Sequence, residues 1–575
     1  IRQHPSLNFA VDPKDLKYRF NWNAPIVASP HDPSIIYHAG NVVFKTQDGG
    51  VSWEKISPDL TRNDTTKQGA GGGPFTNEGA GGENYNTIYY LIESSLEAGV
   101  IYTGSDCGLV HVTKDGGKNW ENITPPNLPE STIHSMEVSP HEKGTAYVCA
   151  NRYKWNDFRA MAYKTTDYGK TWTSINKGID QEDFLRVLRE DTKKPGLLYG
   201  GSERGFYISL NGGKNWDRFQ QNLPVVAITD LKIQDNDLVA ATQGRAFWIL
   251  DDLSALQQSS DMIANQEEMP EVQLFEPKPT VRFGGGRGRG AQFGSNPAYG
   301  VILDYYLGTA ANDSMTLELT IMDENGRTIR TFSSKKDEDF KSWAGGPPAP
   351  KTIPAKAGVN RFAWDFAAQT LPGVEGAYVV GNYRGRTIPP GSYKAKLTMG
   401  ESISEVNIKI VGDPRKKFDP AAWASQEKML IRIERNIKEI HQAINDMDKV
   451  KTQITAYNNL LKDNQQHQDL YEAGVALLEK INLWESNLIE RRQKNGQDII
   501  NWPSKLNADF FNIKGAVDGS DPVVTKGVKD QMTDLEGKWA GYRKDMNALI
   551  EVDIAKYNKI FVDKKIPALM TAIRP

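Results

Sequence analysis

Short strand-like triplets ending in tyrosine recur through the first half of the chain, each followed by a polar corner that closes on a tryptophan. The triplets are Ile35-Ile-Tyr37, Val100-Ile-Tyr102, Thr145-Ala-Tyr147 and Leu197-Leu-Tyr199. The corners are Thr46-Gln-Asp-Gly-Gly-Val-Ser-Trp53, Thr113-Lys-Asp-Gly-Gly-Lys-Asn-Trp120, Thr165-Thr-Asp-Tyr-Gly-Lys-Thr-Trp172 and Ser209-Leu-Asn-Gly-Gly-Lys-Asn-Trp216. A weaker fifth copy runs from Leu238-Val-Ala-Ala-Thr242 into Arg245-Ala-Phe-Trp-Ile-Leu250. Asp48, Asp115, Asp167 and Asn211 are placed to fold back onto backbone N–H groups, and Gly50, Gly117, Gly169 and Gly213 suit a turn position with positive φ. Trp53, Trp120, Trp172 and Trp216 are expected to pack into a sheet, where each indole N–H needs a partner. Successive tryptophans stand 67, 52 and 44 residues apart. That spacing suits four-stranded propeller blades of roughly 40–50 residues plus insertions.

The pattern changes after Asp252. A polar stretch and the Gly284–Gly290 glycine-arginine tract read as a linker over 257–300. From Val301 the alternation is that of strands, with Leu317-Glu-Leu-Thr-Ile321 running into the hairpin signal Glu324-Asn-Gly326, then Val359–Trp364 and Gly391–Leu397. These predict a β-sandwich over 301–413. From Asp419 the apolar period lengthens to three and four. Leu430, Ile433, Ile437, Ile440, Ile444 and Met447 form one stripe; Leu470, Leu477, Ile481, Trp484 and Leu488 a second; Val528, Met532, Leu535, Trp539, Tyr542, Met546 and Leu549 a third. A helical bundle over 414–575 follows, with Asp521-Pro522 read as an N-cap and first-turn proline. The fold class is therefore mainly β: about five propeller blades over 1–256, a sandwich, then a helical tail.

Composition narrows the function classes. The 575 residues carry a net charge of −3, so no single-sign field points to nucleic acid or an anionic membrane. No apolar run is long enough for a transmembrane helix. The two cysteines, Cys107 and Cys149, are too few for a disulfide framework; strands could bring them together, but two buried free thiols are the commoner outcome.

The corners carry the Asp-box, or BNR, pattern found in sialidases, two-propeller xyloglucanases and the sortilin/VPS10 ectodomain. The chain resembles the bacterial VPS10-like proteins often labelled glycosyl hydrolases. The matching phrases include Thr103-Gly-Ser-Asp106, Gly201-Ser-Glu-Arg-Gly205, Asn222-Leu-Pro-Val-Val226 and Gly244-Arg-Ala-Phe-Trp-Ile-Leu-Asp-Asp252. Gly496-Gln-Asp498 and Pro503-Ser-Lys-Leu-Asn507 extend the likeness over most of the chain. Cys107 departs from it, standing where the family is more usually acidic. The resemblance implies the C-terminal part of a longer precursor that is secreted, on the cell surface or periplasmic. Its propeller would be completed by an N-terminal part of the same precursor. The 301–413 segment resembles small Ig-like domains of bacterial secreted proteins, which implies a spacer or docking role.

Propellers bind ligands on one face or in the central channel, so charged and aromatic residues flanking the first strands are the binding candidates: Glu83, Tyr85, Asp106, Arg152, Glu203, Arg204 and Arg245. The competing reading makes them structural salt bridges around the channel. Glycoside hydrolysis needs two carboxylates flanking the bond; Asp106 with Glu203, or Glu83 with Asp106, could supply them. A sialidase would need an arginine triad and an Arg-Ile-Pro segment, and the latter is lacking. The histidines show no metal-ligand spacing, and neither a nucleophile elbow nor a phosphate-binding loop occurs. No metal or cofactor is expected. The Gly69–Gly82 stretch reads as a rim loop. The residues favour a binding or scaffold protein for a peptide, protein or glycan on a surface, with a glycoside hydrolase as the alternative.

Overall fold

The computed structural model describes residues 3–69, 82–283, 296–312, 314–417 and 419–566. Most of the Gly69–Gly82 stretch and the glycine-arginine tract lie outside these. The chain divides into two compact units, 1–268 and 269–575.

The first unit is a run of antiparallel meanders. Blade 1 comprises Ile26–Ala28, Ile36–Ala39, Val43–Thr46 and Glu54–Lys55; blade 2, Ile88–Glu93, Ile101–Ser105, Val110–Thr113 and Glu121–Asn122. Blade 3 comprises Thr132–Val138, Ala146–Arg152, Asp157–Thr165 and Thr173–Ser174; blade 4, Leu185–Glu190, Leu198–Ser202, Phe206–Ser209 and Asp217–Arg218. The fifth sheet has three strands, Ile228–Gln234, Asp237–Thr242 and Phe247–Leu250.

The apolar core of this unit is divided into slabs, one at each junction between neighbouring sheets. Tyr37 and Val43 meet Ile88 and Leu91; Tyr102 and Val112 meet Ile133 and Met136; Tyr147 and Ala162 meet Leu185 and Leu188; Tyr199 and Ile208 meet Ile228 and Leu231. Second strands are therefore covered on both faces, and Ile101–Ser105 and Leu198–Ser202 are buried throughout. Close approach demands small residues there: a Cβ on Gly104 would lie 2.3 Å from Ile133 of the next blade.

First strands converge. Arg189, in the first strand of blade 4, donates to Tyr90 Oη of blade 2 (3.0 Å), Ser135 Oγ of blade 3 (3.0 Å), and Asp230 Oδ1 and the Leu231 carbonyl of blade 5 (2.7 and 3.0 Å).

The four corners share one geometry. Thr113 Oγ1 accepts from Gly117 N (3.0 Å) and donates to Asp115 Oδ1 (2.9 Å), which also accepts from Asn119 N (2.9 Å). The same bonds recur around Thr46, Thr165 and Ser209. Each later indole reaches the sheet behind it: Trp120, Trp172 and Trp216 Nε1 donate to the carbonyls of Ile56, Ile123 and Ile175 at 2.8, 2.7 and 2.7 Å. Trp53, in the first blade, donates to its own Gly50 carbonyl (3.1 Å). Gly169 has φ +86°, and a Cβ there would lie 2.5 Å from Ile123 Cδ1. Both cysteines are buried free thiols.

Residues read as linker from the sequence are partly regular. Ser254–Ala264 is a helix, tied down where Gln257 Nε2 donates to Asp191 and Asn236. Val272–Leu274 and Thr280–Arg282 are strands of the second unit. There a three-stranded sheet (Val272–Leu274, Val301–Leu307, Gly358–Trp364) shares a core with a five-stranded sheet (Thr280–Arg282, Ser402–Gly412, Gly391–Met399, Leu317–Asp323, Thr328–Ser333).

The helices Pro420–Leu461, Gln468–Glu485, Leu506–Asp518 and Lys526–Ala548 pack on one another around Ile433, Ile440, Ile481, Phe510 and Trp539. Asp521 is not an N-cap. Thr525 caps the Lys526 helix, while Asp521 accepts from the buried Arg282 guanidinium (2.6 Å), whose charge would otherwise be uncompensated. No helix among the described residues is long and apolar enough to cross a membrane.

Candidate functional site

A cleft of about 310 Å³ opens beside the first strands of blades 2 and 3. Glu83, Tyr85 and Asp106 line it, joined by Trp22, Tyr89, His134, Tyr153 and Lys154. Glu83 and Tyr85 precede the first strand of blade 2, and Asp106 follows its second strand. Tyr153 and Lys154 lie on a short 3-10 turn between two strands of blade 3. An isolated bridge between Asn21 and Glu83 brings Trp22 to the rim.

Asp106 is 6% exposed and well held. Its Oδ1 accepts from Thr87 N (2.9 Å) and its Oδ2 from Thr87 Oγ1 (2.8 Å). Burial pushes its carboxyl up to about 7, against the pull of the two Thr87 bonds. Between the unfolded value of 3.8 and that of the folded chain, the native state holds a proton the unfolded chain has released. Stability from this group is therefore present at low pH and lost as pH rises through the window. Asp106→Asn should gain stability relative to the parent between about pH 4 and pH 7, read by urea denaturation. A pH-independent difference would refute the assignment.

Tyr85 is committed elsewhere: its hydroxyl donates to Glu130, which also accepts from Lys67 Nζ (2.8 Å). Burial, reinforced by that carboxylate, holds the phenol well above its ordinary range. Burial also lowers the His134 imidazole to about 4, so it is neutral at pH 7, with Nδ1 2.9 Å from the Arg186 carbonyl. The Tyr89 ring lies 5.5 Å from that of His134. Glu83 has no ion pair among the described residues.

The other candidates stand apart. Arg152 lies behind the cleft: its Nη1 donates to the Glu130 carbonyl, its Nε is 3.3 Å from Asp157, and its guanidinium sits 5.4 Å from the Trp155 ring. Glu203 accepts from Arg186 Nε (2.5 Å). Arg204 is exposed, with its backbone N–H on buried Asp183 (2.9 Å). Arg245 is exposed on a turn of the fifth sheet, where its carbonyl accepts from Trp248 Nε1 (2.9 Å). Asp106 and Glu203 thus occupy the same place in their blades, with backbone N–H groups on Thr87 and Phe184 at 3.0 and 3.1 Å, but only Asp106 lines the cleft.

Tyr89 and His134 escaped sequence reasoning. Aligning the first strands would have found them, since Ile88-Tyr89, Ile133-His134 and Leu185-Arg186 occupy one register position, opposite Ser105, Ala150 and Ser202.

Successive meanders stacked face to face, with first strands converging on shared side chains, define a β-propeller-type protein. No family model matches the chain, and no curated protein matches it. Among solved structures it is similar to YCF48 bound to D1 peptide, at 20% identity over 41% of this chain and 64% of that one, with a TM-score of 0.28. It is also similar to the GH74 xyloglucanase from Xanthomonas campestris, at 15% identity over 66% and 63%, TM-score 0.32. The GH74 enzyme of Niastella koreensis matches at 11% identity over 70% and 55%, TM-score 0.32. The chain spans less than two thirds of the length of each.

Proposed function

We propose that this is an Asp-box propeller protein of the VPS10-like kind. It acts as a secreted or surface binding scaffold whose cleft holds part of a peptide, protein or glycan. An N-terminal propeller segment of the same precursor and the Ig-like sandwich would serve its assembly with surface partners. One observation carries the reading: aromatic rings and Glu83, a carboxylate with no ion pair among the described residues, share an open cleft at the convergent first strands. Calorimetric titration with peptides and neutral oligosaccharides tests it. A ligand should bind, and Trp22→Ala should weaken it about tenfold or more. Full affinity in that variant would remove the cleft from the reading.

A hydrolase is the second reading, favoured by Asp106. A carboxyl group near 7 suits a general acid at neutral pH, and Glu83 shares its cleft. Turnover of a β-glucan abolished by both Asp106→Asn and Glu83→Gln would establish it.

A further inference from the structure

The fixed charge of the cleft is asymmetric. Glu83 and Asp106 both line it, but burial raises the Asp106 carboxyl to about 7, so the standing negative charge is that of Glu83, which has no counter-ion among the described residues. The nearby guanidiniums are engaged: Arg186 with Glu203 at 2.5 Å, and Arg152 with Asp157 at 3.3 Å. His134 is held neutral. Among the described residues that line the cleft, Lys154 alone is a cation, from an exposed position on its turn. Trp22, 69% exposed, offers a ring beside the carboxylates, and Tyr89 and Tyr153 extend the aromatic surface. An anionic group entering here would meet the Glu83 carboxylate, and no arginine is among the described residues that line the cleft. A cation would meet Glu83, which has no ion partner among the described residues, and the exposed Trp22 ring, whose face attracts positive charge; the Tyr153 ring already has the Arg186 guanidinium 5.8 Å from its centroid.

We infer that the cleft selects a positively charged side chain, arginine or lysine, presented by a peptide. This rests on the cleft being the binding site proposed above, and narrows its ligand. Lys154 then acts against binding, so the two charged positions have opposite effects.

The test uses N-acetyl-arginine amide, its neutral isostere N-acetyl-citrulline amide and a neutral β-glucan oligosaccharide, each titrated calorimetrically into the full chain at low salt. The arginine compound should bind about tenfold more tightly than citrulline. Glu83→Gln should erase most of that difference, and Lys154→Ala should widen it severalfold. Equal binding of the two amides, or an arginine preference untouched by Glu83→Gln, overturns the inference. Tight oligosaccharide binding that is lost in Trp22→Ala but indifferent to Glu83→Gln overturns the charge selection while leaving the cleft as the binding site. Failure of all three probes to bind overturns the inference, and the cleft reading is then judged by its own wider panel.

Discussion

Arg189→Met should destabilise the first unit by about 3–5 kcal/mol, the range for breaking a buried ion pair by removing one partner. The side chain is 14% exposed and joins first strands from four blades. Its loss strands Glu137, 3.6 Å away, whose carboxyl burial already pushes up to about 7 although Arg189 pulls it down. It also leaves Tyr90 and Ser135 without this donor. Glu137→Gln in the Arg189→Met background should recover part of the loss, because a neutral amide needs no counter-charge. Guanidinium denaturation measures both. A single-variant cost below about 1 kcal/mol would mean that the guanidinium does not bind the blades together.

Trp216→Ala comes next, with an expected cost of about 3–5 kcal/mol for emptying a tryptophan site. Trp216 is 1% exposed, lies in the slab between blades 3 and 4, and donates to the Ile175 carbonyl. Trp216→Phe keeps most of the ring and loses the bond; it should cost about 1–3 kcal/mol for a buried carbonyl left without its donor. Trp53→Ala should cost less than Trp216→Ala, because its indole bonds within its own corner. Equal losses at the two sites would show that the reach to the neighbouring sheet is not the source of the stability.

The eight-residue corners were legible because the short-range bonds of Thr113, Asp115 and Gly117 are local, and local geometry leaves a spaced pattern. Where each indole goes is a contact across some fifty residues, and no local pattern encodes it. The same holds for Arg189, an ordinary strand residue until four first strands meet. His31 and His141, each in a Ser-Pro-His run, form a recurrence that the tryptophan pattern overshadowed. Their Nε2 atoms lie 2.8 and 2.7 Å from the Ser94 and Asp191 carbonyls of the next blade. In the helical tail the long stripes stood out, whereas Leu506–Asp518 is short and buried on several sides, so its pattern lacks a polar face. Of the cleft, the charged residues Glu83 and Asp106 were visible as chemistry; Trp22, Tyr89 and Tyr153 were not, because an aromatic residue in a propeller sequence reads first as core.

The bond from each corner to the sheet behind it separates two lengths along the chain. The interval between one corner and the next varies from 44 to 67 residues. The isoleucine that each indole grips stands three residues after the previous corner's tryptophan in every case: Ile56 after Trp53, Ile123 after Trp120, Ile175 after Trp172. The local corner is thus kept while the chain between corners changes length, and stability accrues junction by junction.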